Sequence, residues 1–167
     1  MAAANTNAQV APRGALRVKL IVIAAIATLV AVAELPIAFE DFGHTEPLRV
    51  FAQRVTSAKL MIAPFIAGSA LFFAAIGRVR AAIAMLAALM LVASVAVFPT
   101  YPILGLEQPV PSILIERVVF PLLGVAALVF AIHGTRLALA TVFVTLPMIL
   151  SAASVVLFAV VYMISGF

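Results

Sequence analysis

Residues 60–98 read LMIAPFIAGSALFFAAIGRVRAAIAMLAALMLVASVAVF, two apolar runs meeting at Gly77-Arg78-Val79-Arg80. The first run, Leu60 to Gly77, carries no charge, and neither does the second from Ala81 to Phe98. The hydrocarbon core of a bilayer needs ~20 mostly apolar residues per helical span. Glycine ends a helix readily, and arginine sits well at the headgroup level. The stretch therefore predicts two membrane-crossing helices joined by a tight hairpin. The same grammar returns at His133-Gly134-Thr135-Arg136, which separates an apolar run from the uncharged stretch Leu137 to Phe167.

Working outward, a further apolar run spans Leu20 to Phe39, interrupted only by Glu34. Five spans follow, at about 18–39, 58–77, 81–98, 113–134 and 137–165. Pro99 and Pro102 should end the third near Phe98. The fifth is longer than a bilayer requires, which predicts tilt, a kink at Pro147 or a protruding end. Residues 1–15, small and polar with Pro12 and Gly14, read as a disordered arm, leaving 16–167 as one domain. The predicted class is all-α, a polytopic membrane helical bundle. Composition agrees: 66% of the 167 residues are hydrophobic and 10% charged, with mean hydropathy +1.32. A soluble domain is nearer half apolar and a quarter charged, so a water-soluble globule, a disordered tail and a nucleic-acid binder are excluded. The absence of cysteine excludes disulfides and thiolate metal sites.

Lysine and arginine counting sets the orientation. With the N-terminus inside, Arg13, Arg17, Lys19, Arg78, Arg80 and Arg136 face the cytoplasm, against Arg49, Arg54, Lys59 and Arg117 outside. All six carboxylates fall on the outer side. The prediction is N-in and C-out, in a bacterial inner membrane. A rival reading takes the basic start, the apolar run and Ala31-Val32-Ala33 as a cleaved secretory signal, which would leave four spans. The resumption of apolar character at Leu35 to Phe39 argues against it.

Between the first two spans, Thr45-Glu46-Pro47 has a capping hydroxyl and an early proline, the signature of a helix start. Leu48, Phe51, Ala52 and Val55 share one face of that helix, so it either lies on the outer surface or extends the second span outward. Sliding the chain by 57 positions pairs Pro64 with Pro121, Phe73 with Phe130, Gly77 with Gly134 and several alanines. A duplicated hairpin, giving a 1+2+2 arrangement about a pseudo-two-fold axis, is one reading; shared membrane grammar is the other.

Chemistry-bearing residues are few. Glu34, Glu116 and Arg117 are ionisable groups in the outer halves of spans, where a polar pocket opening outward is one reading; snorkelling to headgroups and water is the favoured one, since none sits near the bilayer centre. A Glu34–Arg117 pair is predicted, with Lys59 as second partner and Glu116 turned away. Glu40, Asp41, His44 and Glu46 form a polar cluster with weak potential for a divalent cation and otherwise read as a solvated loop. Pro147 deprives the Phe143 carbonyl of its helical donor, so Thr145 and Ser151 mark the place where a buried ligand would sit. No cofactor is expected. His44 and His133 fall on opposite sides, and no lysine lies within the apolar runs themselves, Lys19 and Lys59 each standing just before one.

The leading functional expectation is a non-enzymatic scaffold or accessory subunit, acting through helix contacts and outer loops. Its expected partners are the lipid bilayer and other membrane-protein subunits or further copies of itself, with no nucleic acid. The alternatives are a small transporter or channel with an outward-facing polar site, and an enzyme working on a lipid-soluble substrate through outer carboxylates.

Overall fold

The computed structural model describes residues 12–39, 46–104 and 118–165. Every element among them is helical. Helix α1 runs Pro12–Ala33 and is followed by a 3-10 helix, Leu35–Phe39. Helix α2 is Pro47–Ala75, α3 Val79–Leu104, α4 Phe120–His133 and α5 Leu137–Ser165. Consecutive helices pack against each other, and α1 meets α5 to close a ring. Helix α3 also touches α1 and α5, so it contacts all four of the others.

Two expectations about boundaries are corrected. Residues 12–15 belong to α1 rather than to the disordered arm. Proline is tolerated in a first helical turn, where its missing N–H would have no partner, so Pro12 suits a helix start. Helix α3 does not stop near Phe98; it continues through Pro99 and Pro102 to Leu104. Proline's fixed φ is itself helical, and what each ring removes is one donor, here to the Val95 and Phe98 carbonyls. Near the end of a helix that loss is local and does not force termination.

The helix predicted after Thr45 starts at Pro47, with Glu46 in the extended cap position (φ −71°, ψ 129°). It runs unbroken through Pro64 to Ala75, so the amphipathic segment is the N-terminal part of α2 itself and not a separate surface helix. Helix α5 is likewise continuous across Pro147.

The interior is rich in small side chains, with Leu20, Ile83, Leu86 and Val144 the largest side chains fully buried among them. Ala24, Ala67, Ala70, Ala74, Ala82, Ala87, Ala127 and Ala140 are each 0% exposed. Large apolar residues are widespread on the outside: Leu29 is 70% exposed, Phe65 77%, Leu122 64% and Ile132 67%. A soluble protein of this size hides such residues and seldom shows a large contiguous apolar surface. By length and composition, Gly14–Phe39 and Pro47–Ala75 are each able to cross a membrane; the apolar parts of the other helices among the described residues are shorter.

The two tight turns are built alike. In the first, the Gly77 N–H donates to the Ala74 carbonyl (3.1 Å) and the Arg78 N–H to Phe73 (2.8 Å). In the second, Gly134 donates to Ala131 (3.2 Å) and Thr135 to Phe130 (3.1 Å). Both are Schellman motifs with a left-handed glycine, φ 79° and 67°. Burial follows the same register. Ala67, Ala70 and Ala74 face inward on α2, as do Gly124, Ala127 and Ala131 on α4, 57 residues later. After the turn the offset becomes 58: buried Ala82, Ile83 and Leu86 correspond to buried Ala140, Thr141 and Val144. The slip arises because α3 starts two residues after Gly77 and α5 three after Gly134, the extra residue being accommodated with Arg136 at φ 45°. The likeness is local to each hairpin. A two-fold axis would make α2–α5 the counterpart of α3–α4, yet among the described residues α3 packs on α4 while α2 and α5 do not meet. The hairpins follow one another around the ring, and α1 fills the gap between α5 and α2.

Candidate functional site

Because the helices alternate in direction, polar side chains gather at the two ends of the bundle. At one end lie the close of α1 and the start of α2. Glu34 follows α1, its N–H bonded to the Val30 carbonyl (3.0 Å) and its own carbonyl accepting from Ile37 (3.1 Å). The residue is half-buried. Among the described residues its carboxylate has no ion-pair partner, so the second-choice pairing with Lys59 is not formed. The long turn of 3-10 helix after Glu34 moves the chain on to α2 without bringing the two side chains within 4.0 Å. Arg117, the first-choice partner, and Glu116 lie outside the described residues.

Glu46 is engaged locally, its carboxylate 3.0 Å from the Arg49 guanidinium one turn along α2. Both groups are well exposed, so the pair contributes little to stability, ~0–1 kcal/mol. Glu40, Asp41 and His44 lie outside the described residues, and among the described residues no three potential ligands cluster. Beside this end, a shallow groove of about 370 Å³ runs between the 3-10 helix and α2. Phe39, Val50 and Met61 supply its apolar walls, and Arg54 and Ser57 its polar ones.

Inside the bundle the hydroxyls turn onto their own helices. Thr28 donates to the Ala24 carbonyl (2.7 Å), Ser94 to Met90 (2.8 Å), Thr141 to Leu137 (2.9 Å) and Thr145 to Thr141 (2.6 Å). Such i−4 bonds satisfy a hydroxyl in an apolar setting. Thr145, named with Ser151 as marking the place for a buried ligand beside Pro147, bonds one turn back on its own helix. The Ser151 side chain lies outside the described residues.

The opposite end is basic. The Arg17 guanidinium on α1 donates to the carbonyl of Ala75, the last residue of α2. Arg80, at the start of α3, lays its guanidinium against Gly134 at the close of α4, so near that a Cβ on Gly134 would clash with it. Both cations thus sit at helix C-termini, where free carbonyls and the helix dipole favour positive charge. His133 bonds the Val129 carbonyl through Nδ1 (2.9 Å); a carbonyl only accepts, so Nδ1 carries the proton. Sequence reasoning grouped these arginines on one side but missed that Arg17 and Arg80 each bridge to another helix. Alternating helix direction was the available signal, since it brings the N-terminus of α1 beside the α2–α3 turn.

No family of known proteins matches the chain, nor does any curated protein or solved structure.

Proposed function

We propose that this chain is a five-span integral membrane protein, N-in and C-out, that serves as a non-enzymatic scaffold or accessory subunit of a membrane assembly. The observation carrying the reading is the distribution of side-chain size: alanine predominates in the interior, beside a few large residues such as Leu20, Ile83, Leu86 and Val144, while many leucine, phenylalanine, valine and isoleucine side chains cover the exterior. In lipid, helices gain nothing by hiding large apolar groups, and small residues allow backbones to approach closely. Helices α3 and α5, at 26 and 29 residues, are as long as a bilayer crossing needs at about 1.5 Å per residue. The matching turns and buried faces of α2–α3 and α4–α5 support descent from one duplicated hairpin.

The working part is then the outer helix surface. The test is isolation of the tagged chain from its native membrane in mild detergent after brief cross-linking. A second membrane protein, or further copies of this chain, is expected at fixed stoichiometry. A monomer bearing only lipid, together with solute flux in reconstituted vesicles, would overturn the reading in favour of a transporter.

A further inference from the structure

The basic end gathers charge from three parts of the chain that are far apart in sequence. Arg17 and Lys19 come from α1, Arg78 and Arg80 from the α2–α3 turn, and Arg136 from the α4–α5 turn. The Arg17–Ala75 hydrogen bond and the packing of Arg80 on Gly134 fasten the three parts together. No Asp or Glu occurs in residues 1–33, 70–85 or 130–140, so these cations have no acidic side chain of their own end to neutralise them. Arg17, Lys19, Arg78, Arg80 and Arg136 are all exposed. Directly beside them begins the apolar exterior, with Val18, Val22 and Ile132 uncovered. Any one segment holds too few charges to hold anionic lipid firmly, but five on one surface fall within the range of four to eight that does.

We infer that this end of the bundle is a binding site for anionic phospholipid headgroups. Arg78, Arg136 and Lys19 contact the phosphates. Arg17 and Arg80, partly engaged with helix ends, hold the three segments together and add to the field. A guanidinium takes a phosphate through paired N–H donors, and the adjoining Val and Ile side chains receive the acyl chains. An acidic protein would meet the same charge but would have no use for the apolar border, and so lipid is the occupant favoured. The inference rests on the membrane reading above.

The test uses the full-length chain in a neutral maltoside detergent, where orientation in a bilayer plays no part, titrated with fluorescent phosphatidylglycerol. Phosphatidylglycerol is expected to bind and phosphatidylcholine to bind much more weakly. The double variant Arg78→Gln/Arg136→Gln should lose affinity for phosphatidylglycerol, by about fivefold for each charge removed. Arg49→Gln/Lys59→Gln, which removes the same charge from the other end, should leave it unchanged. Equal losses in the two variants, or none in the first, would overturn the site. Competition by soluble glycerol phosphate at the same concentration as lipid would show an anion site instead, and charge-dependent binding of polyglutamate without selectivity between lipids would show an acidic-protein site. Extraction of the wild-type chain from membranes by alkali is scored separately: it would remove the membrane reading itself, whereas failure of lipid selectivity in a chain that stays in the membrane removes only this inference.

Discussion

Gly77 and Gly134 close equivalent turns, but their surroundings differ. Both lie at positive φ, where an L side chain costs about 1–2 kcal/mol. Around Gly77 a Cβ would meet open space, whereas at Gly134 it would fall on the Arg80 guanidinium. Gly77→Ala is therefore expected to cost only the backbone term, and Gly134→Ala that term plus displacement of Arg80 from the end of α4. Heating in detergent, read as the temperature at which folded chain is lost, should rank wild type above Gly77→Ala and Gly77→Ala above Gly134→Ala. Adding Arg80→Ala should cost less in the Gly134→Ala background than in wild type, because the displaced contact is already gone. The glycines were legible as turn residues from their place between apolar runs and arginines. Arg80's contact with Gly134 was not, since nothing local in the sequence says which helix end a long side chain reaches. Nor does the sequence show that Thr145 closes onto its own helix rather than into the gap left by Pro147.

At the scale of elements, the inward faces of α2 beyond Leu60 and of α4 are lined by alanine and glycine, α3 adding Ile83 and Leu86, and the outward faces carry large residues. Ala127 is fully buried on α4 and Leu122 is 64% exposed on the same helix. Ala127→Leu should overpack the contact between α3 and α4, costing about 1–3 kcal/mol or more. Leu122→Ala, which removes three carbons from an uncovered position, should leave thermal stability in detergent nearly unchanged. The opposite ranking would mean that the large residues, not the small ones, hold the bundle together. Gly124 offers a finer comparison, since an added Cβ would stand 3.3 Å from Leu91. At Gly68 nothing lies within 4 Å. Gly68→Leu is expected to be tolerated where Gly124→Leu separates α3 from α4, as measured by recovery of monodisperse protein. The order of the described helices could be read from apolar runs punctuated by glycine and arginine, and the start of α2 from the proline after Glu46. The end of α3 could not, because a proline's breaking effect depends on whether the carbonyls it strands are buried or near a helix end. The repeat could be read in part: the 57-residue offset holds up to each turn, but the extra residue at Arg136 moves it to 58, and an ungapped comparison misses the buried matches beyond.

Across the whole molecule, charge is divided by end. Arg13, Arg17, Lys19, Arg78, Arg80 and Arg136 belong to the end formed by the start of α1 and the two tight turns, and Glu34 and the Glu46–Arg49 pair to the other. Orientation in a membrane is decided by lysine and arginine near span ends, with carboxylates contributing little. In the proposed N-in orientation, six basic residues inside against Arg49, Arg54, Lys59 and Arg117 outside is a modest bias that a few substitutions can reverse. A C-terminal reporter active only outside the cytoplasm should therefore be active on the wild-type chain, and one active only inside should be silent. Arg78→Gln, Arg80→Gln and Arg136→Gln together lower the inner count from six to three, below the outer four. The triple variant is expected to insert in both orientations, so that each reporter gives a partial signal. Removing Arg49, Arg54 and Lys59 in the same way leaves six against one and should keep the outside reporter fully active. A wild-type chain silent outside the cytoplasm would reverse the topology. A triple variant as uniformly oriented as wild type would mean that the N-terminal trio, Arg13, Arg17 and Lys19, fixes α1 first and that the ring of helices, closed by its contact with α5, carries the remaining spans along with it.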